Sequence, residues 1–163
     1  MIYRIRVILD VKEDVLRDIE IDETATLEDL HHAVTQAFGF LGNEMASFYA
    51  TNDEWEQGEE MPLESMDIAQ PNYGETLLNT IFSAEVHKLL YIYDFLNLWT
   101  FFVELMETAE KDNLKGYPSL IFSHGEVPET PPDKDFVAEQ NYDDGEPMED
   151  DLEENDIDGD EFY

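Results

Sequence analysis

The residues best placed to do chemistry lie past the middle of the chain, where Tyr91-Ile92-Tyr93-Asp94 is followed by Trp99. A carboxylate that ends an apolar run beside Tyr91, Tyr93 and Trp99 sits in surroundings that raise a carboxyl pKa, the condition for a general acid or a ligand-binding group. An aspartate there is also the ordinary acceptor for the backbone N–H groups of its own turn, and that structural reading carries more weight. Tyr91, Tyr93, Asp94 and Trp99 are therefore a candidate binding cluster, with no catalytic role assigned. Glu28-Asp29-Leu30-His31 has the Glu-x-x-His spacing that places a carboxylate and an imidazole on one helix face, as di-iron bundles do, but no second copy accompanies it. His31 is expected to be half-buried and bonded to Glu28 or a strand carbonyl, His32 to face solvent, and His124 to lie on a loop. Asp156-Ile157-Asp158-Gly159-Asp160-Glu161 evokes a calcium loop, yet its glycine stands fourth rather than sixth and no twelfth-position glutamate follows. Weak, diffuse divalent-cation binding at the tail is the expectation there. No serine elbow and no phosphate-cradling glycine loop is present. No catalytic residue, metal site or cofactor is assigned.

The elements that must position these residues read clearly. Tyr3, Ile5, Val7 and Leu9 alternate with Arg4 and Arg6, and Val15, Arg17, Ile19 and Ile21 alternate with Leu16, Asp18 and Glu20. That pattern predicts a hairpin turning near Asp14, with Arg4, Arg6 and Arg17 brought close to Asp18 and Glu20. Thr26 and Asp29 form a capping box ahead of Leu27, Leu30, Val34, Ala37 and Phe38 at helical spacing, and Gly39 stands where the helix should end. A short strand at Ala46–Thr51, an acidic loop from Asn52 to Met66 and a short helix within Glu75–Ser83 follow. Lys88–Tyr93 and Trp99–Leu105 predict a central hairpin, because both runs are almost continuously apolar. A last strand is expected at Ser119–Phe122, and the proline-rich stretch Val127–Pro132 ends the compact part. The fold class is α+β: a mainly antiparallel sheet with one principal amphipathic helix packed on it, in a single domain over residues 1–132. Residues 133–163 form an acidic tail whose composition predicts disorder.

Charge limits the partners. The chain carries 41 Asp and Glu against 8 Lys and Arg, a formal charge of −33, and residues 139–163 hold 13 of the acids with no base. Binding nucleic acid directly requires cations to neutralise phosphates, and an anionic membrane requires the same. A protein with a basic face is the permitted class of partner. The absence of cysteine suits a reducing compartment. The N-terminus enters a strand pattern at once, with no signal-peptide core, and no apolar run approaches the roughly 20 residues of a membrane helix. A cytoplasmic protein is expected.

Tyr91-Ile92-Tyr93-Asp94-Phe95 with Trp99 resembles the Tyr-x-Tyr-Asp-Phe-Gly-Asp-x-Trp signature of the plasmid open-reading-frame-three-like family. That family was first catalogued on a root-inducing plasmid and is also labelled insertion-sequence passenger-like. Tyr3–Val7, Arg17–Ile21, Thr26–His31, Ala37–Phe40, Tyr117-Pro118 and Gly125–Pro128 are similar to the same family in the same order, over roughly residues 2–128. Leu96-Asn97 replaces the Gly-Asp of the family turn, so the turn geometry is expected to differ, because leucine disfavours positive φ. The resemblance implies an α+β fold on a divergent branch with an acidic tail, and no established reaction. The expected function is thus a non-enzymatic interaction or regulatory protein, binding a basic partner with help from the tail. The alternatives are an enzyme with a pocket near Asp94, or a DNA-mimic protein associated with mobile elements.

Overall fold

The computed structural model describes residues 1–64, 69 and 71–132. The expected disordered tail and its calcium-like segment therefore lie outside the described residues. Residues Met1–Pro131 form one compact unit.

The chain opens with β1 (Ile2–Leu9) and β2 (Leu16–Asp22), an antiparallel hairpin in which Arg4 faces Glu20 and Arg6 faces Asp18. Helix α1 (Leu27–Phe38) follows with the capping box complete: the Thr26 hydroxyl accepts from Asp29 N–H, and the Asp29 carboxylate accepts from Thr26 N–H. It ends at Gly39, whose φ of 84° is the left-handed conformation a terminating glycine adopts without steric cost. Then come β3 (Ala46–Thr51), β4 (Gln57–Pro62), the four-residue helix α2 (Leu78–Ile81), β5 (Lys88–Tyr93), β6 (Trp99–Ala109) and β7 (Ser119–His124). Among the described residues these strands make one antiparallel seven-stranded sheet in the order β4-β3-β5-β6-β1-β2-β7.

The period-two alternation decides which face is covered. Tyr3, Ile5, Val7, Leu9, Ile19 and Ile21 bury on the α1 side, together with Phe48, Tyr91, Phe101 and Val103. The stripe Leu27, Leu30, Val34 and Phe38 closes over them, and the Phe38 ring meets Phe101 edge-on at 4.9 Å. Each fully buried side chain of this kind contributes roughly 1.5–3 kcal/mol relative to exposure. The opposite face carries the Arg4–Glu20 and Arg6–Asp18 pairs and has only a partial cover, where Trp55 lies edge-on against Phe102 at 5.1 Å.

Four local expectations change. First, the acidic stretch expected as a loop contains β4. Its backbone pairs with β3 at the sheet edge, where a strand needs little apolar alternation; only Met61 and Pro62 are buried. Second, helix α2 is shorter than expected. The backbone just before it pairs instead with the start of α1, through Leu27 N–H to Thr76 O, Glu28 N–H to Gly74 O and a bridge between Leu77 and Thr26. Third, β7 runs on to His124, placing that residue at a strand end rather than on a loop. Fourth, Arg17 does not join Asp18 and Glu20. It shares the covered face with Ile19 and Ile21, donates to the carbonyls of Ala37, Leu16 and His124, and lies over the Phe38 ring. Burial lowers its pKa, while the three carbonyls satisfy the guanidinium donors.

Candidate functional site

The β5–β6 hairpin holds the motif residues in two different settings. Tyr91 and Tyr93 alternate inward with Leu89, because the strand period puts all three on the α1 side. The Tyr91 hydroxyl meets His31 Nδ1, and His31 Nε2 lies 3.2 Å from Gly42 O. Since the carbonyl can only accept, Nε2 carries the proton and Nδ1 accepts from the tyrosine. Gly42 N–H in turn donates to the Tyr93 hydroxyl at 3.0 Å. The result is a buried relay from hairpin to helix to the loop after the helix and back to the hairpin. Trp99 joins it through Phe40, whose ring stands 5.0 Å from the indole and 5.4 Å from Tyr93.

Asp94 stands apart from this relay, in the turn. Its φ is 67°, and its carboxylate accepts from Leu96 N–H at 3.1 Å and from the Asn97 side chain at 2.6 Å. Its own N–H donates to Met45 O. In this turn the positive φ values fall at Asp94 and Leu98, and Leu96 avoids one. Asp94→Ala should therefore cost about 1–3 kcal/mol, losing the acceptor and straining the left-handed backbone. Asp94→Asn should cost much less, since asparagine tolerates that conformation and keeps an acceptor oxygen. Thermal melts of the two variants check the difference.

His31 is 5% exposed, more buried than expected, and its partners are Tyr91 and Gly42 rather than Glu28. The exposed His32 takes Glu28 instead, at 3.6 Å one turn on. Burial is the main cause that pulls the His31 pKa below its ordinary value. A lowered folded-state pKa means the unfolded chain takes up the proton first. The His31 contribution is therefore complete above about pH 6.5 and is lost as the pH falls below that value. Melting temperature should drop between pH 7 and pH 5, and the drop should shrink in the His31→Leu/Tyr91→Phe double variant.

His31 and Gly42 also form part of the wall of a cleft of about 680 Å³, whose other lining residues include Glu28, His32, Glu44, Glu64 and Glu75. The cleft is acidic, as is most of the surface, because six of the seven described Lys and Arg are already engaged. Arg6 grips Asp18 with two hydrogen bonds of 2.9 Å, and Arg4 binds both Glu20 and Glu107. Lys115 reaches Glu20 at 2.6 Å and Lys111 reaches Asp22 at 3.1 Å. Lys88 donates to Asp53 O and lies over the Trp55 ring. Lys115 and Arg4 hold the Glu20 carboxyl below its ordinary pKa. Hydrogen bonds from Thr24, with help from Lys111, bring Asp22 down to about 2. The sequence singled out His31 through its Glu-x-x-His spacing from Glu28, which is not the contact it makes. Nothing local pointed to Gly42 or to a tyrosine sixty residues on.

The family described as plasmid pRiA4b ORF-3-like protein matches residues 1–145. Among solved structures, a protein of unknown function, MM3350 from Methanosarcina mazei Go1, aligns with a TM-score of 0.68 at 22% identity, covering 78% of this chain and 72% of that one. At that identity the likeness is one of fold. Comparison with curated proteins gives no match. Among the described residues no helix is long and apolar enough to cross a membrane.

Proposed function

Because the chain belongs to the plasmid pRiA4b ORF-3-like family, a family of unknown function, we propose its role from its own electrostatics: an acidic interaction protein that binds a basic protein partner. The observation that carries this reading is the use made of the cations. Six of the eight bases (Arg4, Arg6, Arg17, Lys88, Lys111 and Lys115) are occupied by carboxylates, carbonyls or a ring within the fold. The outward field is then that of the excess carboxylates, with a further 13 acids in residues 139–163. Such a field speeds encounter with a cationic surface and repels phosphate backbones.

Tyr91, Tyr93 and Trp99 serve this role by positioning. They fix the hairpin against α1 and the loop that carries Gly42 and Glu44, and so hold the wall of the acidic cleft. Binding of a fluorescent basic peptide to the full chain, followed across a salt series, tests the reading. Affinity should fall about tenfold or more as exposed charges pass from weakly to strongly screened conditions. Failure of any basic peptide to bind at low salt would remove it.

A further inference from the structure

The two edges of the sheet are finished in opposite ways. Strand β4 bears Glu59 and Glu60 and ends on Pro62, the features that keep a sheet edge from recruiting another strand. Strand β7 reads Ser-Leu-Ile-Phe-Ser-His, with neither charge nor proline. Its central residues Leu120, Ile121 and Phe122 are 49%, 44% and 50% exposed, although one β-strand presents successive side chains to opposite faces. Among the described residues these three side chains are therefore only about half covered, and no strand pairs with the outer edge of β7. This apolar edge is six residues long and, despite a register shift against β2 between Asp18 and Ile19, offers its outer backbone as a template for strand addition.

Charge selects the occupant. At the His124 end of β7, Gly125 packs directly on the Asp14 backbone, which brings Glu13, Asp14 and Glu126 to that end of the edge. A second copy of the chain would bring another formal charge of −33. An extended segment with apolar residues at its centre and Lys or Arg beyond them matches both the apolar run and the acids. We infer that β7 is the docking edge at which a basic partner adds a β-strand to the sheet. This rests on the binding role proposed above and names its place and mode.

The probe is a synthetic peptide alternating Val or Ile with Lys, and the control is the same peptide N-methylated at alternate residues. The control keeps charge and side chains but cannot pair along the edge. With the full chain, the parent peptide should slow amide exchange within Ser119–His124, and the methylated one should bind about tenfold more weakly. Leu120→Glu/Ile121→Glu should also weaken the parent peptide, although it adds two charges that pure electrostatics would reward. Circular dichroism confirms that the variant is folded, and the methylated peptide tests the same point on the unaltered chain. Equal binding of the two peptides, with exchange in β7 unchanged, overturns strand addition and leaves the binding role standing. Absence of binding by either peptide overturns both. The site is also overturned if the β7 amides of the free chain are already protected and lose protection when residues 133–163 are removed. A dimer that the double variant abolishes has the same consequence.

Discussion

A chain ending at Ala138 should capture a basic peptide about tenfold more slowly at low salt than the full chain, with a flatter dependence of rate on salt. The segment removed carries 13 carboxylates and no base. Their field reaches tens of ångströms in dilute buffer and only about 8 Å at physiological ionic strength. Charges that act through such a field steer the encounter and leave the close contacts of the complex largely alone. Dissociation should therefore change little, and stopped-flow measurement separates the two rates. If truncation leaves the salt slope intact, the field of the body, with its paired cations, is sufficient alone. If truncation only causes aggregation, the tail serves solubility.

The largest effect on stability is expected at Tyr91. This side chain is fully buried, lies 4.5 Å from the Phe48 ring and 5.4 Å from Phe101, and bonds His31. Tyr91→Ala empties a space between sheet and helix at a cost of about 3–5 kcal/mol and leaves a buried imidazole nitrogen without its donor. Against a typical total of about 5–15 kcal/mol, that is a large part of the stability. Tyr91→Phe keeps the ring and loses only the donor, about 1–3 kcal/mol. The His31→Leu/Tyr91→Phe double variant replaces both partners with apolar groups and should recover part of that loss. Thermal or urea denaturation that places Tyr91→Phe level with Tyr91→Ala would assign the stability to the hydrogen bond rather than to packing.

What could be read from the sequence follows from the range of each interaction. Helix α1 was legible to its ends, because Thr26, Asp29 and Gly39 act within one turn. The β1–β2 and β5–β6 hairpins were legible because strand alternation and turn residues are local signals. Strand β4 was hidden: at a sheet edge its order comes from backbone pairing with β3, and Gln57-Gly58-Glu59-Glu60 carries no apolar alternation to reveal it. Arg17 follows the period of its own strand, which puts it with Ile19 and Ile21, rather than the cross-strand charge of Asp18 and Glu20. The motif residues were visible as a cluster but not in their settings. The His31–Tyr91–Gly42–Tyr93 relay depends on sheet order, and sheet order depends on contacts far apart in the chain. The contrast between a charged β4 edge and an apolar β7 edge needed the same knowledge.

The central claim is that this fold spends its cations internally and meets its partner through the carboxylates left over. Fluorescence anisotropy of the full chain with a labelled Lys-rich peptide and with a labelled DNA duplex of matched length, each at low and physiological salt, tests it most directly. Peptide binding should weaken steeply with salt, and the duplex should bind at neither concentration. Tight duplex binding, or peptide affinity indifferent to salt, would contradict it.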